Sequence, residues 1–102
     1  MKINVKEINK ICRKNAGDAQ EYYYLRTFVI ANLAVDEFFT KEKMNDDQYR
    51  LGVYEKAIKA VPKLSPVERA FLSLAINVCW TAKFFEVWRE EDSFKSQHNL
   101  IN

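Results

Sequence analysis

The chain holds a single histidine, His98, and two cysteines, Cys12 and Cys79. A metal site needs several such ligands at set spacing, and none of the three has a partner in sequence. His98 stands in the polar stretch SFKSQHNLIN, so the expectation is an idle, solvated side chain. Cys79 has Trp80 beside it and no basic neighbour to lower its pKa, which argues against a nucleophile. Carboxylates come in adjacent pairs, Asp36-Glu37, Asp46-Asp47 and Glu90-Glu91. A di-metal helical bundle projects Glu and Glu-x-x-His motifs inward from facing helices. No Glu-x-x-His occurs here, and the pairs fall at helix ends, where capping and solvation account for them. Asp36 alone lies deep in an apolar run, where a salt bridge or a functional contact would hold it. With Arg26 and Lys83 it completes the ionisable groups set among apolar neighbours, on two separate segments. The expectation is a non-enzyme: no catalytic residue, no cofactor and no metal.

Two other residue sets bear on function. Ile76, Trp80, Phe84 and Trp88 recur at four-residue steps, and Tyr22, Tyr23 and Tyr24 form a second aromatic cluster. Aromatic side chains anchor protein interfaces because they bury much area at low entropy cost. The sharp reading is a protein-binding module of the adaptor, inhibitor, antitoxin or immunity type, whose partner is another protein or a second copy in a homodimer. The plain reading is that these rings are core. Ser73, Asn77 and Thr81 make a narrow small or polar strip beside them, suited to close helix approach or to water. The alternative function is nucleic-acid binding. Lys6, Lys10, Arg13 and Lys14 would meet phosphates, with Tyr22 to Tyr24 or Arg26 nearby to stack on bases. Its plain counterpart is a solvated helix face. The pI of about 8.5 is below the usual basic signature.

Periodicity supplies the elements that would position these residues. Residues 4–16 read as a first helix, with Val5, Ile8, Ile11 and Cys12 on one side and the cations opposite. Gly17 is expected to stop it in the left-handed conformation. Asp18 and Glu21 form a capping box that opens a second helix, running to about residue 40 and apolar nearly all round. Asn45 is expected to cap a third helix with Leu51, Tyr54, Ala57, Ile58 and Val61 on one face, ended by Pro62. Gly52 inside it marks either tolerance or the close approach of a neighbour. Ser65, Pro66 and Glu68 then open the long helix 66–92, roughly 40 Å from end to end. Val67, Phe71, Leu74, Val78 and Phe85 form its main apolar face; Leu72, Ile76, Trp80, Phe84, Val87 and Trp88 form a second. Residues 93–102 lack a period and read as a loosely docked tail.

The fold class expected is all-α: a four-helix bundle-like single domain over 1–102, with two long buried helices, about 18–40 and 66–92. Gly and Pro, two of each, are too scarce for a many-turned β fold, and 48% hydrophobic residues argue against disorder. A net charge of +2 implies no strong pull toward nucleic acid or an anionic membrane, although residues 1–17 set five cations against Glu7 alone. Asn32, Asn77, Thr81 and Lys83 interrupt the apolar runs, so no segment is expected to span a membrane. The basic N-terminus lacks the apolar core of a secretory signal. Two cysteines without a framework fit a reduced compartment, and the expected location is cytoplasmic.

Overall fold

A computed structural model describes residues 1–101, with side chains through Glu91. Four α-helices follow in chain order among the described residues: α1 (Val5–Asn15), α2 (Ala19–Phe38), α3 (Asp47–Ala60) and α4 (Pro66–Ile101). A single 3-10 turn at Lys41–Lys43 joins α2 to α3. The domain is all-α and bundle-like, as its periodicity implied. α4 continues past the end expected at residue 92, since no Gly or Pro intervenes. The expected loose docking of 93–102, and His98 within it, fall on side chains outside the described residues.

Local chemistry starts each helix. Asn4 Oδ1 accepts from the Glu7 amide at 3.1 Å, and Asp18 Oδ1 accepts from the Glu21 amide at 2.8 Å. Asp46 rather than Asn45 caps α3, accepting from the Tyr49 amide at 3.0 Å. Ser65 and Glu68 form the full reciprocal box at the start of α4. Gly17 corrects an expectation. α1 ends at Asn15 with Ala16 extended, and no glycine has a positive φ. Gly17 instead lets Glu21 close over it: its amide donates to Glu21 Oε2 at 2.7 Å, and a Cβ there would stand 2.9 Å from that oxygen, at the movable end of an exposed side chain. Gly52 corrects another, because no atom lies within 4 Å of where its Cβ would be. Tolerance, not close approach, explains it.

α2 lies along α4, α1 packs on α2, and α3 packs against both α2 and α4. Arg26–Glu68, Asn32–Cys79 and Asp36–Lys83 step up both helices together, so α2 and α4 run parallel. The core gathers Ile8 and Cys12 of α1, Ile30, Ala31, Ala34 and Val35 of α2, Val53 and Ala57 of α3, and Leu72, Ala75, Ile76, Cys79 and Trp80 of α4. Trp80 is its largest member: the indole N–H donates to the Met44 carbonyl at 2.9 Å, and the ring meets Phe39 edge-on at 4.8 Å. This pins α4 to the α2–α3 connection.

Burial of the long helices is one-sided, which revises the expectation that both are enclosed. Tyr23, Tyr24, Phe28 and Leu33 of α2 are exposed. So are Val67, Leu74, Val78, Phe85 and Trp88 of α4. Ile11 and Leu51, placed on the inner faces of the first and third helices by periodicity, also lie outside.

Candidate protein-interaction surface

The expected anchors divide between core and surface. Ile76 and Trp80 are 1% and 2% exposed, so no partner reaches them in this fold. Phe84 is half-buried, and Trp88 is open to solvent. Tyr22 is half-buried and meets Tyr23 edge-on at 5.4 Å, while Tyr23 and Tyr24 are exposed. The two apolar faces of α4 are thus exchanged relative to the sequence reading. The stripe with Leu72, Ile76 and Trp80 is the core stripe. The stripe expected to be the main buried face, Val67, Phe71, Leu74, Val78 and Phe85, lies outward: Phe71 is half-buried and the other four are exposed, from 50% at Phe85 to 64% at Val67. Small Ala75 and Cys79 accompany the inner stripe and allow α2 to approach; the ion-pair partners Glu68 and Lys83 border it. That set of neighbours is the sequence signal that separates the two faces.

The outer stripe does not stand alone. Tyr24 of α2 packs edge-on against half-buried Phe71 of α4 at 4.6 Å and 86°. Three hollows follow the α2–α4 seam. The first, of about 360 Å³, lies between Gln20, Tyr23 and Tyr24 on one side and Val67, Glu68 and Phe71 on the other. The second, about 150 Å³, is lined by Tyr24, Thr27, Phe28, Phe71, Leu74, Ala75 and Val78. The third, about 270 Å³, continues past Phe28 and Val78 to Asp36, Lys83 and Glu86. Tyr24 and Phe71 divide the first hollow from the second; Phe28 and Val78 divide the second from the third. The result is a groove with an apolar middle, closed at one end by the Lys83–Asp36 pair at 3.3 Å.

Most polar groups around this groove are paired within the fold, the buried Arg26 Nε excepted. Arg26 and Glu68 form a largely buried pair at 3.2 Å. Asp36 is exposed rather than buried and pairs with Lys83, whose pKa its carboxylate raises. The Cys79 thiol donates to Asn32 Oδ1 at 3.4 Å, and burial pushes its pKa up, with Asp36 adding to the effect. Burial also raises the Cys12 thiol, against an opposing pull from Arg26. Both changes disfavour the thiolate, and so disfavour nucleophilic use. No cluster of three or more His, Cys, Asp or Glu stands at metal distance among the described residues.

Lys6, Lys10, Arg13 and Lys14 are all exposed on α1, and the Arg13 guanidinium lies 5.7 Å from the centre of the Tyr22 ring. By length and composition Pro66–Glu91 is apolar enough to cross a membrane, contrary to the expectation that no segment is. Only 28% of the apolar window is buried in the core, so the outer stripe is what remains to be accounted for. No family model, curated protein or solved structure matches this chain.

Proposed function

We propose that this protein is a non-enzymatic binding module that works by covering the α2–α4 groove with another protein surface, in the manner of an adaptor, inhibitor, antitoxin or immunity protein. The observation that carries the reading is the outer side of α4 from Val67 to Trp88. Val67, Ala70, Phe71, Leu74, Asn77, Val78, Thr81, Ala82, Phe85 and Trp88 share that side of the helix and none is ionisable; exposed Arg89 is the first charge on it. A helix face left to water ordinarily carries Lys and Glu. With about 150–250 Å² per aromatic side chain, the roughly half-exposed Tyr24, Phe28, Phe85 and Trp88 alone present on the order of 400 Å². Three exposed aliphatic residues add to that, and the total exceeds what a monomer ordinarily leaves open. Trp88, Phe85 and Leu74 would be the anchors, with Gln20, Asn77 and the Lys83–Asp36 pair forming a polar rim that excludes water. A cytoplasmic setting suits two reduced, buried cysteines.

Capture from lysate on immobilised wild-type protein, beside the Leu74→Glu variant, tests this. Leu74 is exposed, so the variant should keep its helical circular dichroism. A protein retained by the wild type and lost by the variant is expected, a second, differently tagged copy of the chain counting as one. Identical retention by both would overturn the reading.

A second reading rests on the shared exposure of Lys6, Lys10, Arg13 and Lys14 along α1. It makes this face a phosphate-contacting surface for nucleic acid. It predicts a gel shift at low salt that weakens steeply as salt rises; no shift at low salt would remove it.

A further inference from the structure

The occupant of the groove can be read from the spacing of its residues. Along the outer side of α4 the exposed or half-buried positions are Val67, Phe71, Leu74, Val78, Thr81, Phe85 and Trp88. They are separated by steps of four and three throughout, which is the repeat that seats one helix on another by knobs-into-holes packing. The only polar member is Thr81, and its hydroxyl already donates to the Asn77 carbonyl at 2.8 Å. It can therefore enter a dry seam without leaving an unsatisfied group.

We infer that the helix seated there is α4 of a second copy of this chain, paired antiparallel about a two-fold axis between Val78 and Thr81. The inference rests on the docking reading above. In this register Val78 faces the partner's Thr81, Leu74 faces the partner's Phe85, and Phe71 faces the partner's Trp88. Each contact is repeated by symmetry, as a two-fold interface requires. Small residues meet at the centre, where Asn77 and Ala82 also lie, so the helices come closest there. Large rings meet at both ends, where the seam widens. Tyr24 and Phe28 wall one side, so each copy offers a groove rather than a bare rod. Coiled-coil partners are ordinarily selected by charges flanking the seam. From Val67 to Trp88 the one charge flanking this stripe is Glu68, already paired with Arg26 of its own copy, so no unpaired flanking charge rejects a second copy. The aromatic area estimated above, with Val67, Leu74 and Val78 added, approaches the ~800 Å² per partner of a standard interface.

Sedimentation velocity of the full chain across micromolar concentrations tests the pairing. A dimer is expected. Val78→Glu should weaken it at least ~100-fold, because two carboxylates enter an apolar seam. Val78→Glu combined with Thr81→Lys should restore it, since the register brings each Glu to the other copy's Lys. Disulfide trapping checks direction: a mixture of Leu74→Cys and Phe85→Cys proteins should cross-link, while Leu74→Cys alone should not. A wild type that stays monomeric would overturn the self-pairing. Cross-linking of Leu74→Cys to itself would overturn the antiparallel register. Binding of the monomer to vesicles of phosphatidylcholine and phosphatidylglycerol, lost in Val78→Glu, would assign the stripe to a lipid surface instead. The docking reading fails separately, only if the Leu74→Glu variant captures what the wild type captures.

Discussion

Glu68 shows how one side chain couples local and tertiary structure. Its Oε1 accepts from the Ser65 amide at 3.3 Å, closing the capping box that starts α4. Its Oε2 faces the Arg26 guanidinium at 3.2 Å, tying that helix start to the middle of α2. The two side chains are 14% and 11% exposed, so the pair is only weakly screened by solvent. Glu68→Ala removes a cap contact and a charged hydrogen bond at once, and should lower unfolding free energy by about 2–3 kcal/mol. Arg26→Ala leaves the cap in place, and a double-mutant cycle in urea should return a clear coupling between the two. Gly52 makes the opposite case. It sits inside α3 with open space where a Cβ would go, so Gly52→Ala should stabilise the protein by about 0.5–1 kcal/mol, read as a higher urea midpoint at unchanged slope.

At the scale of an element, α4 explains what the sequence could and could not specify. Its start was legible, because Ser65, Pro66 and Glu68 act on their own neighbours. Its two apolar stripes were legible too, because they follow from 100° per residue. Which stripe is core was not, since both carry large apolar side chains and periodicity has no reference direction. The answer depends on where α2 lands, and that depends on small Ala75 and Cys79 beside Leu72 and Ile76. The same limit applies to Ile11 and Leu51, apolar residues on otherwise correct helices that point outward. The expected anchors were therefore divided by the fold: Trp88, Tyr23 and Tyr24 are on the surface, while Trp80 and Ile76 are inside. The two tryptophans should separate experimentally. Trp80→Ala opens a core cavity and removes the bond to the Met44 carbonyl, and should cost about 3–5 kcal/mol. Trp88→Ala should change the stability of an isolated copy by less than about 0.5 kcal/mol. In the monomeric Val78→Glu variant, acrylamide should quench one tryptophan readily and the other poorly, since Trp88 is open and Trp80 is buried in the single copy.

The whole molecule is governed by a surface-to-volume problem. A domain of 102 residues buries a limited share of its chain, and here one core serves two long helices that are each apolar on more than one side. Turning Ile76 and Trp80 inward leaves Phe85 and Trp88 outside. Association is the remaining way to remove that surface from water, and association has a thermodynamic signature. If two folded copies pair and unfolded chains do not, mass action makes stability depend on concentration. Each tenfold rise in protein should add about 0.7 kcal/mol per copy and lift Tm by roughly 3–5 °C for a domain of this size. Val78→Glu should abolish that dependence while leaving the Tm extrapolated to low concentration almost unchanged, because Val78 is already half-exposed in the single copy. Differential scanning calorimetry over two decades of concentration, on wild type and variant, makes the comparison. A Tm that stays constant with concentration for the wild type would mean the apolar stripe is left open by the isolated protein, and that self-association is not what covers it.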